Sequence, residues 1–227
     1  MTEPDLAKLT IGVLGGTGPQ GRGLALRWAI AGQRIVIGSR NAERAATAAA
    51  ELAEKAGVSG DAVTGADNAG CASAADLVLV AVPWDGHDTL LTSLRSELAG
   101  KIVIDCVNPM GFDKQGPFVL PVAEGSAAQQ AAALLPDSRV TAAFHHVSAV
   151  TLEDLSVAEV NLDVLVLGDD REATDQVRSL ADSIPGVRGV FGGRLRNAGQ
   201  VEAFTANLIA INRRYKTHAG IRVTDLP

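Results

Sequence analysis

Cysteine is scarce in this 227-residue chain, which has only Cys71 and Cys106. Two cysteines do not make the framework of a disulfide-stapled domain, and a pair of reduced, largely buried thiols is the expected state. No cysteine or histidine cluster has metal-ligand spacing, so no metal centre is expected. No apolar run approaches the roughly 18 residues that span a bilayer, so no membrane partner is expected. There is no basic excess either: the net charge is -6. That argues against nucleic acid as the main partner, and it means that any bound anion must be held by a local group of Arg and Lys. The opening MTEPDLAKLT is short and polar and lacks a signal-peptide pattern. A cytoplasmic protein is expected.

Hydrophobic residues make up 47% of the chain, enough for a sizeable core. Apolar runs alternate with helical stretches. LTIGVLG, RIVIGS, LVLVAV, KIVIDCV, VTAAF, DVLVLGDD and VRGVF read as strands, with a weaker one at Ala62–Thr64. Pro19–Gly32, Asn41–Ala56, Glu172–Ile184 and Gly199–Tyr215 read as helices, and Asn41 is the expected N-cap of the second. Ser126 and Gln129 form a capping-box pattern before another helix. In the last helix Val201, Phe204, Leu208 and Ile211 share one face. Residues 108–124 have no clear period and read as a long functional or mobile loop. The alternation predicts an α/β fold: a Rossmann-like, doubly wound, mostly parallel sheet with helices on both faces. The expected division is a dinucleotide-binding domain over residues 1–150 and a small, docked C-terminal α/β unit over 151–227.

GTGPQG, Gly16 to Gly21, matches G-x-G-x-x-G between a strand and a helix. Gly16 is expected to allow the tight turn, Gly18 the approach of a pyrophosphate, and Gly21 the close packing of helix on strand. The helix N-terminus favours an anion, with Thr17, Gly18, Gln20 and Gly21 as N–H donors beside Pro19, which has none. After the second strand, where NAD-binding chains carry an acid, this chain has Ser39, Arg40 and Arg44. Small donors and cations there suit a 2′-phosphate, so NADP is the expected dinucleotide.

The ligand of such a sheet lies at the carboxyl ends of the strands. Here those ends supply Val82, Pro83 and Trp84, then Asn108 and Met110, then His145, Val147 and Ala149. No Lys, Tyr or Ser/Tyr/Lys set stands where an alcohol dehydrogenase needs its proton donor. His145 is the best ligand candidate among the histidines, while Asp85 and His87 read as a helix cap with a solvated neighbour. His145 and His146, if in a strand, would point to opposite faces.

VLGGTGPQGRGLALRWAIAGQRIVIGSRNAER, AVPWDGH, HHVSA, VLVLGDD and RNAGQVEAFTANLIAIN, in this order, resemble the oxidoreductases that pass a hydride between NADP and the deazaflavin coenzyme F420. The resemblance implies a homodimer of two-domain subunits, with residues 151–227 helping to form the F420 cleft. It implies that Thr17 to Gln20 bind the pyrophosphate side and that Ser39, Arg40 and Arg44 take the 2′-phosphate. Trp84, Met110 and Ala149 would lie near the rest of the dinucleotide, and His145 and Val147 would face the deazaflavin. His146, Ser148 and the VNPM stretch depart from the family's pattern. No residue is expected to act as a chemical catalyst; His145 only orients the deazaflavin. Arg194, Arg196, Arg213, Arg214 and Lys216 form a basic group for the coenzyme's anionic tail or a solvated surface. The rival readings are an NADPH-dependent reductase of an imine, keto acid or metal ion, and a non-catalytic NADP(H) sensor.

Overall fold

The alternation of side chains along each strand divides the core in two. In the computed structural model, which describes residues 9–226, an eight-stranded sheet runs through the molecule. Its strands are β1 (Thr10–Leu14), β2 (Arg34–Ser39), β3 (Val63–Asp67), β4 (Leu77–Val80), β5 (Ile102–Asp105), β8 (Arg139–Ala142), β9 (Leu162–Gly168) and β10 (Val187–Gly193), in the spatial order β10-β9-β8-β5-β4-β1-β2-β3. Leu77, Leu79, Ile102 and Ile104 face one core, and Val78, Val80 and Val103 face the other. A strand covered on both faces is therefore apolar at every position, as LVLV is. The first core packs against α1 (Pro19–Ile30), α2 (Ala42–Ala56), α7 (Ala149–Glu153) and α8 (Arg171–Asp182). The second packs against α3 (Asn68–Ala74), α4 (His87–Ser93), α5 (Arg95–Leu98), α6 (Ala127–Leu134) and α9 (Ala198–Tyr215).

All pairings in this sheet are parallel except β8 with β9. The strands after residue 150 thus extend the first sheet rather than form another. Local signals act where expected. Asn41 Oδ1 accepts the Arg44 N–H at 2.9 Å, and Asp170 caps α8 through the Ala173 N–H at 2.8 Å. Ser126 Oγ accepts the Gln129 N–H at 3.0 Å.

Three expectations need correction. Residues 108–124 are not a structureless loop: β6 (Met110–Asp113) and β7 (Gly116–Val119) form an antiparallel hairpin, turned by Gly116 at φ 125° and by Asp113 Oδ1, which accepts the Gln115 and Gly116 N–H groups. Its partly exposed strands lack the apolar run that marks a buried strand. The α9 face is split: Val201 and Leu208 are buried, but Phe204 and Ile211 remain exposed. His145 and His146 do not lie in a strand. β8 ends at Ala142, Phe144 takes the left-handed conformation (φ 67°), and both histidine rings are buried. Phe144 is held there by its edge-on contact with Trp28, 5.4 Å between centroids. The polar residues 1–8 of the N-terminal stretch lie outside the described residues. No described helix is long and apolar enough to cross a membrane.

Candidate active site

The turn after β1 is set by Gly15, one residue before the expected position. Gly15 has φ +79°, and a Cβ there would sit 2.4 Å from the Ala81 carbonyl oxygen. Gly16 has an ordinary φ; its N–H bonds to Val13 O at 3.1 Å, and it is confined by Val13 and Ile37. Gly18 also differs from expectation as a donor, since its N–H bonds to Gly15 O at 2.9 Å. Gly18 is the N-cap of α1, Pro19 is the first helical residue, and no side chain caps the helix. The N–H groups of Gln20 and Gly21 are thus left to an external acceptor, beside the Thr17 hydroxyl. Gly21 plays its expected part: a Cβ would lie 2.8 Å from Gly15 O, so only glycine lets α1 start this close to the turn.

These elements open onto a groove of about 500 Å³. Thr17, Gly18, Ser39, Arg40, Arg44, Val82 and Pro83, all expected site residues, line it together. Arg40 and Arg44 are exposed, and among the described residues neither is in an ion pair. Ser39 Oγ accepts the Asn41 N–H at 3.3 Å, which leaves its hydroxyl hydrogen free to donate. The groove is therefore cationic at its β2 end, with one exposed carboxylate, Asp85, on the β4 side. Asn68 also lines it, and its Oδ1 is buried without a partner. Sequence reasoning missed Asn68; the signal was its place just after β3, a strand read as weak.

The other expected residues lie outside this groove. Trp84 is half-buried and packs on His87, with ring centroids 5.5 Å apart. Asn108 Oδ1 accepts the Thr205 hydroxyl at 3.1 Å, and the same hydroxyl lies 3.4 Å from His145 O. Thr205 of α9 so ties the β5–β6 loop to the loop after β8. Met110 starts β6 and Ala149 starts α7. His145 and Val147 line a tightly filled site with Asp163 and Val201. Neither ring nitrogen of His145 makes a well-aligned hydrogen bond among the described residues, although the Cys106 backbone lies near enough to favour the charged ring weakly. Burial is the main cause that lowers its pKa, to about 4, with the Asp105 charge opposing; the ring is neutral at pH 7. Both ring nitrogens are buried in that filled site, so a ligand reaches them only if the side chains around His145 move. His146 is different: its Nε2 bonds to Val201 O at 2.7 Å.

His87 is a correction. It is not solvated but fully buried, with Nε2 2.7 Å from Asp105 Oδ2 and Nδ1 3.2 Å from Gln130 Oε1. Asp85 does not cap α4; Gly86 does, at φ 89°. The partners lie 18 and 43 residues away in sequence, so no local pattern reveals them. Both cysteines are free and buried, and burial pushes the Cys71 thiol up to about 12. Among the described residues no His, Cys, Asp and Glu group could hold a metal.

Comparison with known proteins gives the context. Residues 10–109 match the model of the coenzyme F420-dependent NADP oxidoreductase family. The F420-dependent NADP reductase of Methanothermobacter thermautotrophicus is 42% identical over 224 residues, 96% of either chain. The chain belongs to this family. A second F420-dependent NADP reductase, from Methanocaldococcus jannaschii, is 39% identical and matches over 96% of this chain and 99% of its own. A crystal structure from Arthrobacter sp. FB24, described as a candidate F420-dependent NADP reductase, superposes with a TM-score of 0.81 at 25% identity, covering 95% and 99% of the two chains. The matches to these relatives extend over 96% of the chain, beyond the stretch that the family model covers.

Proposed function

We propose that this chain transfers a hydride directly between NADP(H) and coenzyme F420. The observation that carries this reading is the combination, in one member of this family, of a Ser39–Arg40–Arg44 end, whose two cations are in no ion pair among the described residues, with a buried His145 at the strand ends. Ser39, Arg40 and Arg44 would hold the 2′-phosphate, and Arg40 can do so in a planar fork. Thr17 and the N–H groups of Gln20 and Gly21 would hold the pyrophosphate at the start of α1, with Gly16, Gly18 and Pro19 shaping the turn. Val82, Pro83, Trp84, Asn108, Met110 and Ala149 would flank the rest of the dinucleotide, and His145 and Val147 would face the deazaflavin.

When bound, the two coenzymes supply both the hydride and its acceptor carbon, so the chain need supply neither nucleophile nor metal. Its side chains position and exclude water. Trp84 would be an apolar wall at the end of β4, while Phe144 and Val147 pack into the core behind the strand ends. His145, neutral at pH 7, can donate one hydrogen bond and accept another, which orients a ring without moving a proton. Holding two reactants in register supplies much of the acceleration in such a site. Among the described residues no Lys or Tyr stands at the strand ends, which weighs against an imine or keto-acid reductase.

We further infer a cytoplasmic homodimer in which residues 151–227 complete the F420 side. Exposed apolar residues support a subunit contact: Phe112, Phe118 and Val119 on the β6–β7 hairpin, and Phe204 and Tyr215 on α9. Two free, buried thiols suit a reducing compartment. The test is anaerobic mixing of the protein with NADPH and oxidised F420. Loss of the visible absorbance of F420, dependent on NADPH and enzyme, is the expected result. NADPH binding without that loss would leave a sensor or a reductase of another substrate.

A further inference from the structure

The wall of the NADP groove formed by Val82, Pro83, Asp85, Gly86 and Leu90 is a single turn leading into α4. Apolar packing of Val82, Leu90 and Leu91 holds it to the second core, and its polar ties are few. α4 has seven residues, and no side chain caps it. Its first residue is His87, whose N–H bonds to Trp84 O at 3.1 Å, while Leu90 N–H bonds to Gly86 O at 3.0 Å. The His87 side chain is the polar tie from this turn to the interior, reaching Asp105 at the end of β5 and Gln130 on α6.

The protonation state of that tie is set by geometry. Gln130 Nε2 donates to Glu124 Oε2 at 3.4 Å, which leaves Oε1 facing His87 Nδ1 at 3.2 Å. The carboxylate Asp105 Oδ2 faces Nε2 at 2.7 Å, and its other oxygen accepts the Val107 N–H at 2.9 Å. With the Gln130 amide in this orientation both ring nitrogens meet acceptors, and an imidazole that donates to both is a cation. The Trp84 ring lies over it, tilted by 33° with a centroid separation of 5.5 Å, within reach of a cation–π contact.

We propose that His87, held as a buried imidazolium between Asp105 and Gln130, is a positioning residue that fixes the NADP-side wall, so that NADP(H) binding is linked to a proton. This rests on the assignment of the groove to NADP. Burial alone would lower the pKa of His87, but the bond and charge of Asp105, helped by Gln130, raise it above the usual 6.5. The other titratable groups around the cluster are Glu202 on α9, Glu124 through Gln130, and His145 beside Asp105; Asp88 on α4 is exposed. Glu202 accepts the Ala127 and Ala128 N–H groups on its two oxygens, while burial and then the Asp105 charge push it up to about 7. The two titrations act in opposite senses. Ionisation of Glu202 strengthens the cation, whereas loss of the His87 proton breaks the tie.

The test uses the unaltered, full-length protein first. Nitrogen NMR of the coenzyme-free protein at pH 7.5 (a pH chosen about one unit above the ordinary histidine value) should show both His87 ring nitrogens protonated. The affinity for NADPH, measured by titration above pH 7, should then fall on the alkaline side as His87 deprotonates. In that range a 2′-phosphate, with its second pKa near about 6, does not change charge. Asp105→Asn should move that limb to lower pH. His87→Gln keeps a donor but cannot titrate; it should bind NADPH about tenfold more weakly, an ordinary size for coupling between sites, with no alkaline limb. A neutral His87 tautomer at pH 7.5, or an NADPH affinity independent of pH while the nitrogen spectrum titrates, would overturn the proposal. Should either variant fail to fold, those two readings of the unaltered protein still decide. An unaltered protein that does not bind NADPH at all would remove the functional reading and this proposal together, whereas binding with a flat profile removes this proposal alone.

Discussion

The two halves of the cleft are built on opposite plans. The phosphate half, Gly15 to Arg44, is local in sequence, exposed and polar, and its cations wait unpaired among the described residues. The half around Trp84, His87, Asp105, His145 and Glu202 is assembled from four distant segments, and the ionisable groups named are all buried. In the proposed function, selectivity in the first half would come from charge offered to a ligand. In the second, charge is spent inside the protein to hold apolar walls and one neutral imidazole in place. Binding and positioning are thus carried by different chemistries.

Disturbing each half in turn should expose the difference. The largest effect is expected from Gly15→Ala. A left-handed alanine costs roughly 1–3 kcal/mol, and forcing a Cβ against the Ala81 carbonyl adds a similar amount. Denaturant unfolding should show a loss of about 4 kcal/mol. A loss below about 0.5 kcal/mol would mean that the turn can relax and that its geometry is not what holds the phosphate half together.

Next comes Asp163, which backs the His145 region. It accepts bonds from Arg188 at 3.0 and 2.8 Å, from Arg222 at 2.9 Å and from the Val223 N–H at 2.7 Å. Removing one partner of such a pair leaves uncompensated charge, so Asp163→Ala should cost about 3 kcal/mol. The bond from Arg188 is the largest cause that depresses the Asp163 pKa, from 3.8 to about 2, against burial. A carboxylate with a depressed folded pKa stabilises fully above its unfolded value and loses that contribution as pH falls through the folded one. Unaltered protein should therefore lose stability between about pH 4 and pH 2, and Asp163→Asn should flatten that limb. An unchanged acid limb in Asp163→Asn would contradict the assignment.

Arg40→Ala tests the phosphate half alone. Bonds to a charged group contribute about 1.5–3 kcal/mol, so NADP should bind roughly 10–150-fold more weakly, with NAD little changed. Equal weakening of both would show that Arg40 does not read the 2′-phosphate. The smallest effect is expected at His145. A neutral hydrogen bond contributes about 0.5–1.5 kcal/mol, so His145→Ala should weaken F420 binding by roughly 2–12-fold. Loss of a general acid or base would instead lower the single-turnover rate at saturation by about 10²–10⁴-fold, and that outcome would move His145 from positioning to proton transfer.

The same contrast explains what could be read without a structure. The doubly wound sheet, the phosphate turn and the Ser39–Arg40–Arg44 group were legible because each depends on neighbours a few residues away. Apolar runs such as LVLV report burial on both faces directly. Gly15 was misplaced by one residue because GGTG offers two glycines for one turn. The β6–β7 hairpin was hidden because its strands are short and half-exposed. His87 read as solvated because a polar residue after a strand usually is; only the fold brings Asp105 and Gln130 to its two nitrogens. Asn68 was invisible for the same reason, its role being defined by the groove beside it.

The central claim is that the hydride passes directly from one coenzyme to the other across this cleft. NADPH carrying deuterium at the transferred position should be mixed with oxidised F420 and enzyme, and the reduced F420 analysed by mass spectrometry. The expected result is one deuterium retained in reduced F420, with none appearing when unlabelled NADPH reacts in deuterated water at the same carbon. Reduced F420 that takes its new carbon-bound hydrogen from solvent, or no reduction of F420 at all, would contradict the account.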